Sequence, residues 1–326
     1  MNGNPVWHWL QLILLLGLLV ACGPDELADE VAATAVPSPT ETPMAESPFR
    51  VIAYVTGAVV PEIIPYDKLT HINYSFLIPN ADGTFVPLTN LWKLQKIVAD
   101  AHESGVQVFI SVGGWGWDEQ FETLAADPAT RAAFVQNLTE FVNENDLDGA
   151  DIDWEYPDPG PSSQNFLALI QELRQAMPDK LLTTAVVAYG ATGEGVPAET
   201  FPLFDFVNIM TYDGPDHATM TQFEAGLEYW QERGLPPEKT VMGVPFYGRP
   251  SEPLYRQIVE TNPQAAYEDS IEWNGEANRY NGIPTVQTKT RLAMDRASGI
   301  MFWTLEHDAE GELSLLGAID AVVNGE

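Results

Sequence analysis

Three carboxylic acids alternate with apolar residues in the run 148–157, Asp-Gly-Ala-Asp-Ile-Asp-Trp-Glu-Tyr-Pro. If this run forms a β-strand, Asp151, Asp153 and Glu155 project from one face, because side chains alternate along a strand. On an antiparallel sheet the alternation would indicate only a solvated face. A parallel barrel strand is covered on both sides, so inward carboxyl groups are costly unless they have a function. The row is therefore a candidate catalytic site.

Proton transfer suits this row better than metal binding does. Successive residues on one face lie about 6.6 Å apart, too far for all three acids to bind one calcium or magnesium ion. Neighbouring carboxyls resist simultaneous ionisation, so we expect Asp151 and Asp153 to titrate as a pair and share a proton. That pair would help to keep Glu155 protonated, as a general acid requires. We expect no metal and no other cofactor.

The rest of the chain alternates short β-branched runs with segments of helical periodicity, which is typical of βα units around a parallel sheet. Strands are predicted at residues 50–55, 71–77, 106–112, 149–155, 181–188, 204–211, 240–247 and 299–304. Helices are predicted at 90–102, 130–143, 163–177, 220–231, 285–295 and 312–322. No Gly-x-Gly-x-x-Gly turn follows a strand, so the pattern favours an α/β fold of the (β/α)8 TIM-barrel type over an open doubly wound sheet. Residues 49–326 would form this single catalytic domain.

The spacing of the acids, Asp-Gly-x-Asp-x-Asp-x-Glu from 148 to 155 followed by Tyr-Pro, resembles the signature of glycoside hydrolase family 18, the chitinase family. The resemblance implies a glycosidase that hydrolyses β-1,4-linked N-acetylglucosamine polymers, chitin or chitooligosaccharides, with retention. It implies that Glu155 protonates the glycosidic oxygen and that Asp153 holds the substrate N-acetyl group. The carbonyl of that group is then the nucleophile, so no second carboxylate is needed.

Motifs at other predicted strand ends extend the resemblance across almost the whole domain. They are Ser-Val-Gly-Gly-Trp at 111–115, Met-Thr-Tyr-Asp at 210–213, Val-Pro-Phe-Tyr-Gly-Arg at 244–249 and Met-Phe-Trp at 301–303. The resemblance implies that the Tyr212 hydroxyl binds the N-acetyl carbonyl with Asp213 nearby, and that Trp303 forms the floor of the cleaved subsite. The implied catalytic residues are Asp151, Asp153, Glu155 and Tyr212; the implied substrate-binding residues are Tyr54, Phe76, Gly114, Trp115, Met210, Asp213, Tyr247, Arg249 and Trp303. Taken singly, the aromatic residues would equally suit a barrel core.

One segment departs from the family pattern. Many members insert a small α+β domain after the seventh strand, whereas residues 250–298 leave room only for a loop, two short helices and a turn. We therefore expect an open, shallow groove.

A short apolar run at 10–21 ends at Cys22, the single cysteine of the chain. Its length suits a signal peptide better than a spanning helix. Leu-Val-Ala-Cys at 19–22 resembles a bacterial lipoprotein cleavage box, which implies lipidation of Cys22 and an extracytoplasmic, cell-surface protein anchored at the membrane. An ordinary signal peptide or a short anchor is the alternative. Residues 23–48, rich in Ala, Pro, Thr, Ser and Glu, predict a disordered linker.

Charge and cysteine content exclude several function classes. With 47 acidic and 15 basic residues, the formal net charge is −32, which opposes binding to nucleic acid or to anionic lipid surfaces. A single cysteine allows no disulfide within the chain and no thiolate metal site. We expect a monomer that binds carbohydrate and contacts the membrane only through its lipid. Alternatives are an endo-β-N-acetylglucosaminidase acting on N-glycans or peptidoglycan, and a non-catalytic carbohydrate-binding barrel, against which Glu155 argues.

Overall fold

Eight parallel strands close into a barrel in the computed structural model, which describes residues 49–325. The barrel strands are β1 (Arg50–Thr56), β2 (His71–Leu77), β3 (Gln107–Gly113), β4 (Gly149–Asp153), β5 (Leu181–Val187), β6 (Phe206–Met210), β7 (Thr240–Pro245) and β10 (Gly299–Trp303). Each strand pairs with its neighbours in chain order, and β10 closes the ring against β1. The predicted TIM barrel is confirmed, and every predicted strand is present.

Helices cover the outside of this barrel. They are α1 (Leu91–Glu103), α2 (Asp118–Ala126), α3 (Pro128–Glu144), α4 (Pro161–Ala176), α5 (Met220–Glu232), α6 (Tyr255–Thr261), α7 (Ile283–Arg296) and α8 (Leu315–Val323). The six helices with predicted bounds are confirmed, and α6 is the second of the two short helices expected in residues 250–298. Only α2 was not predicted, because its nine residues contain too few apolar repeats to establish a helical period.

The segment between β7 and β10 contains more structure than the expected loop, two helices and turn. Between α6 and α7 lies an antiparallel hairpin of β8 (Ser270–Trp273) and β9 (Glu276–Arg279). Its turn is Asn274-Gly275, with φ of 54° and 83°, the positive values that favour Asn-Gly in two-residue hairpins. Most residues of these strands are exposed or half-buried, so the alternation that marks a buried strand is absent.

The barrel interior has a closed end and an open end. Near the N-terminal ends of the strands, Phe109 stacks on Phe206 with ring centroids 6.0 Å apart, and His71 packs edge-on against both rings. Further up, hydrogen-bonded polar side chains that include Ser111, Asp151 and Thr183 are buried beside apolar ones such as Met301. The C-terminal ends, where TIM barrels carry their sites, therefore form the accessible end.

Across residues 49–325, no helix combines the length and apolarity needed to cross a bilayer. The predicted signal peptide (1–22) with Cys22 and the predicted linker (23–48) lie outside the described residues.

Candidate active site

A cavity of about 1070 Å³ opens at the C-terminal ends of the barrel strands. Asp153, Glu155 and Tyr212 line it, whereas Asp151 lies below it and is fully buried. The predicted substrate-binding residues in its wall are Tyr54, Phe76, Trp115, Met210, Asp213, Tyr247, Arg249 and Trp303. The structure thus brings together at one cavity residues that are separated along the sequence by up to 249 positions, the span from Tyr54 to Trp303.

Asp151 is saturated with hydrogen bonds from side chains of four other strands. Its Oδ2 accepts from the hydroxyls of Tyr54 at 2.8 Å and Ser111 at 2.9 Å. Its Oδ1 accepts from the Thr183 hydroxyl at 2.6 Å and the Asn208 amide at 3.1 Å. Burial raises the pKa of Asp151, while these hydrogen bonds oppose the rise. Because all four partners donate hydrogen bonds, these contacts stabilise the carboxylate form of Asp151.

The hydrogen bonds of Asp151 argue against the expected sharing of a proton between Asp151 and Asp153. In the part of the chain that the structure describes, no hydrogen bond joins the two carboxyls, and Asp153 Oδ1 is buried without a hydrogen-bond partner. The physical reason is that other donors already occupy both oxygens of Asp151. Burial, then the charges of Glu155 and Asp151, raise the pKa of Asp153 well above its usual range. Of the two aspartates, Asp153 therefore has the more strongly raised pKa.

Glu155 follows the end of β4 and is half-buried in the cavity wall. Burial raises its pKa, the Tyr156 hydroxyl opposes the rise, and the negative charge of Asp213 adds to it. A carboxyl with a raised pKa in a cavity is suited to donate a proton to a bound substrate.

The hydroxyl of Tyr212 is available to a ligand. The side chain is buried, and its one polar contact in the described residues is with Met301 Sδ at 3.9 Å, a weak acceptor. Burial, with smaller contributions from neighbouring groups including Asp153, raises the pKa of Tyr212 well above its usual range. The hydroxyl therefore keeps its proton and can donate it to an oxygen in the cavity.

Asp213 ties the end of β6 to the segment after β7. Its Oδ1 accepts from the Tyr247 hydroxyl and from Arg249 Nε, both at 2.7 Å. Arg249 also pairs with Glu252. The two other carboxylates that line the cavity, Asp213 and Glu252, are therefore both bound to Arg249.

Among residues 49–325, no group of three or more His, Cys, Asp or Glu side chains is arranged to hold a metal ion.

Comparisons with known proteins agree with this geometry. The sequence model of the glycosyl hydrolases family 18 matches residues 50–308. The chain belongs to glycosyl hydrolase family 18. It is 31% identical over 233 residues to a probable endochitinase of Caenorhabditis elegans, covering 58% of this chain and 38% of that protein. It is 32% identical over 230 residues to an endochitinase of Manduca sexta, covering 58% and 41%. The chain spans less than two thirds of the length of these curated relatives.

Solved structures support the same assignment. A chitinase from Bacteroides thetaiotaomicron superimposes with a TM-score of 0.78 at 28% identity, covering 86% of this chain and 98% of that one. A family 18 chitinase from Flavobacterium johnsoniae superimposes with a TM-score of 0.73 at 29% identity, covering 85% and 94%.

In this family 18 barrel, aromatic rings form one wall of the cavity. Trp303 stacks on Phe76 with centroids 5.3 Å apart and an interplanar angle of 20°, and it lies tilted against Tyr54 at 5.8 Å. Trp115 stands at the rim with 78% of its surface exposed. Flat rings of this kind provide apolar faces on which sugar rings pack.

Gly114 is the one predicted substrate-binding residue that does not line the cavity. Its φ is +87°, and a Cβ there would lie 2.7 Å from the ring of Phe76. Gly114 therefore acts indirectly: the absence of a side chain lets Phe76 approach Trp303.

His217 belongs to the site of this family 18 protein, although sequence analysis assigned it no role. Its Nδ1 accepts from the backbone N–H of Asp213 at 2.9 Å, so its Nε2 carries the proton and donates to the Tyr247 carbonyl at 3.1 Å. Burial lowers the pKa of His217 to about 4, which keeps the ring neutral. The four-residue spacing from Asp213 across a Gly-Pro turn was the only sequence signal.

Proposed function

We propose that the protein hydrolyses β-1,4-linked N-acetylglucosamine polymers by a retaining, substrate-assisted mechanism with Glu155 as general acid. The observation that carries the proposal is the convergence of Glu155, Asp153 and the Tyr212 hydroxyl on one aromatic-walled cavity. The other lining carboxylates, Asp213 and Glu252, are bound to Arg249 and are poorly placed to act as an enzyme nucleophile. Membership of family 18 and the names of its chitinase relatives support chitin or chitooligosaccharides as the substrate.

In the first step, the carbonyl oxygen of the substrate N-acetyl group bonds to the anomeric carbon. The glycosidic C–O bond breaks, and Glu155 gives its proton to the departing oxygen. Asp153 binds the acetamido N–H, Tyr212 donates a hydrogen bond to the attacking carbonyl, and Trp303 supports the sugar ring. The raised pKa values of Glu155 and Tyr212 favour the protonated forms that these roles require.

In the second step, water attacks the anomeric carbon of the bicyclic intermediate from the leaving-group side, and Glu155 takes a proton from that water. The bond between the carbonyl oxygen and the anomeric carbon breaks, so the N-acetyl group is restored. Two inversions at one carbon give net retention.

Product stereochemistry tests this proposal. Purified protein is incubated with chitotetraose, and the first-formed product is followed by NMR before mutarotation. We expect a β anomer, inhibition by a bicyclic thiazoline mimic, and no cleavage of fully deacetylated chitosan. An initial α anomer, or equal cleavage of the deacetylated polymer, would contradict the mechanism. Parallel incubations with N-glycans and peptidoglycan distinguish the polymer acted on.

We further propose that the protein is an extracytoplasmic lipoprotein anchored through Cys22. The support is the short apolar run that ends in Leu-Val-Ala-Cys and the polar 23–48 segment that follows it. In a bacterial host, the wild-type chain should incorporate labelled palmitate and fractionate with membranes, whereas Cys22→Ser should do neither. Unchanged membrane association and processing of the Cys22→Ser chain would disprove the anchor.

A further inference from the structure

A lysine behind the cleft is completely buried. Lys289, on α7, donates to the backbone carbonyl of Ala218 and to Asn281 Oδ1, both at 3.0 Å. Asn281 Nδ2 donates to the same Ala218 carbonyl at 2.6 Å. The ammonium also lies 5.2 Å from the centre of the Phe223 ring on α5. A fixed set of dipoles and one aromatic face thus surround this cation.

Charged neighbours do not neutralise Lys289 directly. Within residues 49–325, no carboxylate lies within 4.0 Å of its ammonium. Burial lowers the pKa of Lys289 to about 7, and the charge of Asp269 opposes this shift. On the cleft side, His217 is neutral, and Lys289 and Arg249 both help to keep it so. A buried amino group without an ion-pair partner is costly to ionise, and the hydrogen bonds to Ala218 and Asn281 offset part of that cost.

The Ala218 carbonyl belongs to the 213–218 loop, which joins β6 to α5. Asp213, Gly214 and Ala218 have φ of 63°, 72° and 66°, in the left-handed region that non-glycine residues adopt only where the surroundings hold them. His217, which is itself part of this loop, accepts a hydrogen bond from the Asp213 N–H and donates one to the Tyr247 carbonyl, so it ties the loop to the segment after β7. Lys289 and Asn281 bind the C-terminal end of the loop through hydrogen bonds to the Ala218 carbonyl. Hydrogen bonds therefore hold both ends of the loop.

We propose that Lys289 and Asn281 are positioning residues for the proposed hydrolysis: they fix the 213–218 loop so that the Asp213 carboxylate stays against Tyr247 and Arg249 and near Glu155. The inference rests on the proposed function. Because the charge of Asp213 helps to raise the pKa of Glu155, a displaced loop would lower that pKa. Glu155 would then lose its proton at a lower pH than in the wild type.

A matched pair of lysine substitutions separates positioning from general stability. Lys289→Met keeps the length of the side chain but removes the ammonium. The control is Lys239→Met, because Lys239 Nζ likewise binds backbone carbonyls, those of Phe204 at 2.6 Å and Phe201 at 3.1 Å, but near the N-terminal end of β7, away from the cavity. We expect both variants to lower Tm.

Only Lys289→Met should change catalysis of chitotetraose. We expect kcat to fall by about tenfold to 10²-fold, more than KM rises, and the alkaline limb of kcat/KM to move to lower pH. Lys239→Met should keep the wild-type kcat and pH profile. If Lys289→Met does not fold, Asn281→Ser removes one hydrogen bond to Ala218 and should shift kcat and the pH limb in the same direction by a smaller amount. A lowered Tm with an unchanged kcat and pH profile would overturn the proposal.

Hydrogen exchange tests whether Lys289 holds the 213–218 loop, and it needs no hydrolysis. In Lys289→Met, the peptide covering 210–222 should exchange faster than in the wild type, whereas in Lys239→Met it should not. If the wild type does not cleave chitooligosaccharides, the proposed function fails, but this exchange result still tests whether Lys289 holds the loop. Unchanged exchange of this peptide would overturn the role of Lys289.

Discussion

Asp151 and Asp153 lie two residues apart on one face of β4, yet their surroundings are opposite. Asp151 receives four hydrogen bonds from side chains. Asp153 has an oxygen with no partner in the described barrel and lies beside Glu155. The difference shows that two acids of one motif can have different surroundings: donors satisfy the carboxylate of Asp151, whereas one oxygen of Asp153 has no hydrogen-bond partner in the described protein.

Strand register explains this difference. At the level of Asp151, the neighbouring strands place Ser111 and Thr183, whose hydroxyls both donate to it. At the level of Asp153, β3 places Gly113, which has no side chain, and the pairing of β4 with β5 has already ended at Ile152. The upper carboxyl therefore meets the cavity instead of a ring of donors.

The largest expected effect is at the upper end of the row. Glu155→Gln keeps the shape of the side chain but cannot donate the proton, so we expect kcat to fall by about 10²- to 10⁴-fold with oligosaccharide binding retained. Steady-state kinetics and calorimetric binding measure both quantities. Glu238→Gln, an exposed change beside the N-terminal end of β7, is the control and should leave kcat unchanged. Near-normal hydrolysis by Glu155→Gln would remove this residue from its role.

A pair of amide substitutions tests the comparison between Asp151 and Asp153 directly. Asp153→Asn should lower kcat substantially with little loss of stability, because its Oδ1 makes no hydrogen bond to the described protein. Asp151→Asn should lower the free energy of unfolding by about 1–3 kcal/mol, because the new NH2 group faces hydrogen-bond donors. Chemical denaturation and kinetics are measured on both variants. If Asp151→Asn proved as stable as the wild type, the proposed structural role of Asp151 would be wrong.

Two tryptophans at different depths should give a smaller contrast. Trp303→Ala should raise KM by about tenfold and also lower kcat, because the ring lies on the cavity wall against Phe76. Trp115→Ala, at the exposed rim, should raise KM alone. Trp92→Ala, which removes a 60% exposed ring outside the cavity lining, is the control. Unchanged kinetics in both cavity variants would disprove the assignment of these rings.

The smallest expected effect is on the pH dependence of stability. The pKa of Asp153 is raised in the folded protein, so the folded state binds its proton more tightly than the unfolded state, in which an Asp has a pKa of about 3.9. The contribution of Asp153 to the free energy of unfolding is therefore complete below the unfolded pKa and is lost as the pH rises through the folded pKa. Asp153→Asn should remove this part of the decrease in stability with rising pH. If the profiles of Tm against pH of the wild type and of Asp153→Asn are parallel, the pKa of Asp153 is not raised in the folded protein.

Much of the fold and of the site could be predicted from the sequence. Every barrel strand could be predicted from local patterns, because a buried strand is recognisable in a few consecutive residues. Short strand-end motifs likewise pointed to Asp153, Glu155 and Tyr212, which the structure places in the wall of one cavity. The donors to Asp151 could not be predicted in the same way, since Thr183 and Asn208 lie 32 and 57 residues away. The roles of His217 and Lys289 likewise depend on contacts between elements that are distant in sequence.

The sequence by itself determined that this chain forms a barrel whose fourth strand presents Asp151, Asp153 and Glu155 in one row, because alternation and spacing are local properties. Only the tertiary structure decided how far the pKa of each of these acids is raised. This rise depends on burial and on donors and charges from other strands, and these reach β4 only when the barrel closes. The expected proton sharing between Asp151 and Asp153 stays a prediction, and the side chains from β1, β3, β5 and β6 that donate to Asp151 argue against it.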